Sequence, residues 1–120
     1  MKTLSIICAA LIGAAPAFAE APKVIDAVAH STGMGWNFDV TLAHGDTGWD
    51  HYADGWGVYA PDGTELGYRV LAHPHVNEQP FTRSLSGVVI PPGVMDIEIR
   101  PRDSVHGIGA GVAFILPDDG

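Results

Sequence analysis

The feature that most restricts this chain's fold is an alternation. Trp36, Phe38, Val40 and Leu42 are apolar, while Asn37, Asp39 and Thr41 between them are polar, and Ala43 closes the run. A two-residue period puts the first set on one face of an extended strand and the second on the other. His44 follows, in phase with the apolar set. Met95, Ile97 and Ile99, set against Asp96, Glu98 and Arg100, repeat the pattern near the C-terminus. No helical period competes with either run.

Turn residues punctuate the rest. Ser31 to Gly35 carries two glycines, Pro61-Asp62-Gly63 pairs a fixed φ with a glycine, and Pro91-Pro92-Gly93 does the same. Between these signals lie strands at Lys23 to His30, Trp36 to Ala43, Trp56 to Ala60, Leu66 to Ala72, Phe81 to Ile90, Met95 to Ile99 and Val112 to Leu116. The fifth is expected to be irregular near Gly87. Seven short strands with regular turns predict an all-β, antiparallel β-sandwich.

The N-terminus has a different character. Lys2 supplies a minimal basic region, Leu4 to Gly13 is apolar, and Ala17-Phe18-Ala19 is a small-x-small cleavage site. Residues 1–19 therefore read as a secretory signal peptide, and 20–120 as one β-sandwich domain that is periplasmic or secreted. The alternative is an uncleaved anchor, but the apolar run is short and Pro16 follows it closely. Cys8 has almost nothing basic before it, which argues against a lipoprotein signal. It is the only cysteine, so the exported part has no disulfide and must be held by its core, or by a metal. The net charge is −8, and all 14 acidic residues follow the signal. That excludes nucleic acid as a partner, and membrane once the signal is cleaved.

Two resemblances sit on named residues. Trp56 early in the third strand, with Phe81 to Gly93 running through a Pro-Gly turn into Met95 to Ile99 and then Asp103, is similar to the fibronectin type III pattern. It departs from that pattern at Met95, where a tyrosine usually stands. This resemblance implies a seven-stranded, antiparallel, immunoglobulin-like sandwich. His73-Pro74-His75 and Glu78-Gln79-Pro80-Phe81-Thr82-Arg83-Ser84-Leu85 resemble motifs of a small family of uncharacterised bacterial secreted proteins. The family carries no activity to transfer, and Ig-like folds serve many functions.

If the strands run alternately up and down, the connections 44–55, 73–80 and 103–111 fall at one end. These loops hold His44, His51, His73, His75 and His106, five of the six histidines, together with Asp46, Asp50, Asp54, Glu78 and Asp103. His30 falls at the other end. The two imidazoles of His73-x-His75 point the same way along an extended segment, and Pro74 stiffens it. Further ligands to a shared ion are expected from His51, His106, Glu78 or Asp50. Nitrogen and oxygen donors without thiolate suit Zn²⁺, Cu²⁺ or Ni²⁺. Met34 and Met95 lie outside these loops, which disfavours a methionine-rich Cu⁺ site. The competing reading is that the histidines pair with aspartates and backbone to order the loops.

The remaining motifs read mainly as structure. Asp46, Asp50 and Asp54 lack the spacing of an EF-hand. Trp49 and Tyr52 are expected to cover the top of the core, with ligand stacking as the alternative. Arg83 is expected on the Phe81 face, paired with Glu78 or a loop aspartate. Asp103 reads as the partner of His106, either ordering its loop or orienting it towards a metal. No nucleophile elbow accompanies Ser84 or Ser104. The leading function is therefore metal binding by histidine-rich loops. A protein- or glycan-binding module without an enzymatic role comes next. A metalloenzyme comes last, because a sandwich of this size offers a shallow site.

Overall fold

The computed structural model describes residues 21–117. The expected signal segment lies outside them. All eight elements are strands: β1 (Lys23–Thr32), β2 (Gly35–Ala43), β3 (Ala53–Tyr59), β4 (Glu65–Val70), β5 (Phe81–Val88), β6 (Asp96–Asp103), β7 (Gly107–Ile108) and β8 (Val112–Ile115). They form two antiparallel sheets, a β-sandwich. One sheet has the order β1-β2-β5. The other has the order β4-β3-β6-β7, with β8 also on β6. No helix of the described residues is long and apolar enough to cross a membrane.

The count is eight strands rather than the expected seven, because the 103–111 segment is not simply a loop. Asp103 belongs to β6, where it pairs with Ala53, and β7 pairs with Arg102 and Asp103. β8 pairs with Asp96 to Ile99 farther down β6. Since β3 occupies the other edge of β6, β7 and β8 share one edge, interrupted at 109–111. Gly111 sits within that interruption. A Cβ there would come 2.7 Å from the Cγ atoms of Arg100 and Glu98.

The core follows the alternation. Phe38, Val40 and Leu42 of β2 face Trp56 and Val58 of β3 and Ile97 and Ile99 of β6, all buried. Phe81, Leu71, Val88 and Leu116 close it, and Trp36, Leu85 and Phe114 pack against it partly exposed. β1 contributes Ala29 to this core, while Ile25 and Val28 face solvent. A register shift between Val24 and Asp26 changes which residues point inward. The irregularity expected near Gly87 is present. Gly87 has φ 71°, and the β2–β5 register shifts between Trp36 and Phe38.

Tyr68 of β4 lies across β3 at Gly55, where a Cβ would come 2.0 Å from its Oη. Only glycine leaves the ring room to lie there. Burial, aided by the charge of Asp54, pushes the Tyr68 hydroxyl up to about 12. An unfolded tyrosine ionises near 10. The stability tied to the neutral hydroxyl is therefore complete below pH 10 and drains as the pH rises towards 12. Urea titrations at pH 9 and 11 should show the wild type losing stability across that interval and Tyr68→Phe losing less. The remainder falls to Tyr59, which burial and Glu65 also raise. Equal losses in the two proteins would show that the Tyr68 hydroxyl is not held neutral by the fold.

Candidate metal centre

The site grows out of the core alternation. In β2 the inward phase runs Phe38, Val40, Leu42, and its next member beyond the strand is His44. In β6 it runs Ile97, Ile99, Pro101, Asp103. Each strand thus carries its inward phase one step past the apolar residues to a polar one. The two strands belong to opposite sheets, so His44 and Asp103 meet over the top of the core. Their side chains are 3% and 0% exposed.

Asp103 is well supplied with donors. Its Oδ1 accepts the N–H groups of Val105 at 2.8 Å and His106 at 2.5 Å. Its Oδ2 accepts the His106 Nδ1–H at 2.9 Å. Burial alone would push this carboxyl up, but the backbone and ring donors of His106 and the N–H of Val105 outweigh it. They hold it below the usual carboxylate value. The same Oδ2 lies 3.6 Å from His51 Nε2 and 3.9 Å from His44 Nε2. The His44 and His51 rings meet edge to face at 4.8 Å, and those of His51 and His106 at 5.3 Å.

Asp46 fixes the other side of His44. Its Oδ1 lies 2.5 Å from His44 Nδ1. A carboxylate only accepts, so Nδ1 carries the proton and the lone pair of neutral His44 is on Nε2, the nitrogen nearer Asp103. A carboxylate behind a histidine is the arrangement that orients metal-binding imidazoles. Asp46 also accepts the Ala53 N–H at 3.0 Å and the His75 N–H at 2.8 Å.

His44, His51 and Asp103 together could hold a metal ion: one donor atom from each lies within 4.8 Å of the others. Donors about 2.0 Å from a tetrahedral ion stand about 3.3 Å apart. Asp103 Oδ2 stands 3.6 and 3.9 Å from the two ring nitrogens, so the side chains would draw together by up to about 1.5 Å to hold an ion. His51 Nε2 is buried and has no hydrogen-bond partner.

The predicted ligands divide. His51 and His106 stand at this centre. Asp50 is exposed, and Glu78 is exposed with its N–H on the His75 carbonyl at 3.5 Å. His73 and His75 form a second group, with rings 4.6 Å apart. His75 is buried and stacks on Phe81 at 4.0 Å. Its Nε2 lies 2.9 Å from Arg83 Nη2. Arginine only donates, so this nitrogen accepts, the proton sits on Nδ1, and neither nitrogen offers a lone pair here. Burial first, then the Arg83 charge, lowers the pKa of this imidazole.

Two structural expectations need correcting. Arg83 is not seen on a carboxylate: it donates to the Thr82 carbonyl and to His75, and lies over Phe81. Trp49 does not cover the core. It is 67% exposed, with its ring edge to face with Tyr52. The expected convergence of loops is present. Ser104 N–H donates to the Tyr52 carbonyl at 2.9 Å, and Asp46 reaches the His75 backbone. Gln79 bridges as well, accepting the His44 N–H and donating to the His75 carbonyl, both at 2.9 Å. An open depression of about 490 Å³ lined by Asp54, Glu65, Tyr68, Val70, Arg102 and Ile108 contains none of the histidines.

Sequence reasoning passed over His44 and Asp103 as ligands. The signal was available, because His44 stands in phase with Phe38, Val40 and Leu42 and Asp103 with Ile97 and Ile99. Removing Asp46 tests whether it anchors these loops. Asp46→Ala strips the acceptor from two backbone N–H groups and one imidazole. Unpaired buried donors cost about 1–3 kcal/mol each, so the variant should lose roughly 3 kcal/mol in urea unfolding. Amide exchange at Ala53 and His75 should quicken with it. A loss under about 1 kcal/mol would remove Asp46 from that role.

No protein-family model matches the chain, and no solved structure matches it. A curated protein of Halomicrobium mukohataei named "Putative lipoprotein" is 38% identical over 99 residues, which span 82% of this chain and 48% of that protein. The chain therefore spans about half the length of the curated relative it matches.

Proposed function

We propose that this chain is an extracytoplasmic metal-binding domain, and that His44 Nε2, His51 Nε2 and Asp103 Oδ2 hold one divalent ion at the end of the sandwich. The observation that carries the reading is His51 Nε2, a buried ring nitrogen without a partner, 3.6 Å from a buried carboxylate oxygen. Left unmet, such a group costs about 1–3 kcal/mol. An ion between the two atoms would satisfy both. Two imidazoles and a carboxylate favour Zn²⁺ or Cu²⁺ over Ca²⁺ or Mg²⁺. Storage or delivery of such an ion suits a small domain.

The location rests on the signal-like N-terminus and on the name of the Halomicrobium relative. The finer fold reading is immunoglobulin-like, close to fibronectin type III. Its support is the strand order β1-β2-β5 against β4-β3-β6 with β7 and β8 sharing the last edge. Membership of the secreted family is proposed on the His73-Pro74-His75 motif and the Glu78 to Leu85 motif. A second reading, a protein- or glycan-binding surface, is favoured by exposed Trp49 in the loop that carries His51.

Calorimetry with Zn²⁺ and Cu²⁺ on the untagged protein tests the proposal. One ion should bind with submicromolar affinity. His51→Ala and Asp103→Ala should each weaken it at least a hundredfold, and His30→Ala and His73→Ala should leave it within about twofold. Affinity should fall as the pH is lowered, because protons compete with the ion for the same ligand atoms. Binding that survives His51→Ala but is lost in His73→Ala would move the site to the second histidine group. No binding of either ion would leave the Trp49 surface as the function.

A further inference from the structure

Building on the metal reading, we infer that the bound ion keeps one coordination position open to solvent, and that water or a small monodentate anion fills it rather than a fourth side chain. Among the described residues, His44, His51 and Asp103 are the one group of three or more such side chains whose donor atoms all lie within 4.8 Å of one another. His106 is the nearest further imidazole, and it is committed elsewhere. Its Nδ1–H and its backbone N–H both hold Asp103, at 2.9 and 2.5 Å, and its ring falls outside the converging set. A carboxylate oxygen has two lone pairs, so the His106 bond leaves one on Oδ2 for the ion.

Burial shows which side is open. The His44 and Asp103 side chains, at 3% and 0% exposure, form a floor above the core. His51 is 19% exposed and His106 40%, and they form a rim. An exchangeable ligand would therefore reach the ion from the side on which His51 and His106 lie, away from the core. Three protein ligands with an exchangeable fourth is the pattern of an open zinc-type site. Charge favours an anion there, because a divalent ion bound by two neutral imidazoles and one carboxylate keeps a positive charge. Asp46, behind His44, is already engaged by three donors.

Co²⁺ replaces Zn²⁺ in such sites and reports its coordination through visible d–d bands. The untagged protein with one equivalent of Co²⁺ should show the intense bands of four- or five-coordination. Millimolar azide should shift them with saturable, single-site behaviour. His106→Ala should bind Co²⁺ within about tenfold of wild type, the lower end for losing an outer hydrogen bond, and should respond to azide in the same way. Wild-type bands that ignore azide while those of His106→Ala respond would make His106 the fourth ligand and overturn the inference. Bands that ignore azide in both proteins would show a closed site and overturn it equally. If the wild type develops no Co²⁺ bands, the metal reading itself fails and the open position goes with it.

Discussion

Everything at the functional end depends on the side-chain period of two β-strands. A strand turns each residue to the face opposite its neighbour. Once β2 and β6 commit Phe38, Val40, Leu42, Ile97 and Ile99 to the core, His44 and Asp103 have no other direction to point. A one-residue slip of either strand would turn its polar residue out to solvent and expose the core residues behind it. The position of the site is thus set by the same free energy that holds the sandwich together. Apolar burial keeps the register, and the register keeps an imidazole and a carboxylate together above the core. Asp103 lies within β6, and His44 directly follows β2 with its N–H held by Gln79.

Burying two carboxylates at one end of a small domain needs compensation. Asp46 and Asp103 solve this separately. Asp103 takes its donors from the chain immediately after it, Val105 and His106, so its charge is satisfied by the turn it starts. Asp46 takes its donors from three places: the His44 ring, Ala53 at the start of β3, and His75 in the 71–80 segment. The first organises one turn, and the second ties three segments together. In this arrangement the histidine-rich stretch 73–80 supports the site. It reaches His44 through Gln79 and Asp46, and its own His75 is taken by Arg83 and Phe81.

The β-sandwich was legible because its signals are local. Alternation and Pro/Gly turns named the strands, and the parity of strand direction put three loops at one end. The short β7 was not legible, since a two-residue strand has no period and exists only by pairing with Arg102 and Asp103. The site was legible in its chemistry more than in its membership. His51 and His106 could be named because loop histidines attract attention. His44 and Asp103 were harder, since each is the last member of an apolar face and reads as strand end or turn. The direction of His75 was not legible at all. It depends on Arg83 eight residues on, and on an aromatic face that only the folded β5 presents.

The two histidine groups also differ in sign, and this bears on their roles. At the His75 ring the charged group in contact is the Arg83 guanidinium, so a cation brought to that nitrogen meets repulsion and a ring already accepting a hydrogen bond. At His44 and His51 the nearest charges are Asp46 and Asp103, so a cation meets attraction from two buried carboxylates. Low local polarisability magnifies both effects relative to water. The same imidazole chemistry is therefore turned to opposite ends within one loop cluster. In one pair, His75 packs between an arginine and a phenylalanine while His73 lies against the His75 ring. The other is held with its nitrogens towards a carboxylate oxygen, in an arrangement that could hold a metal ion.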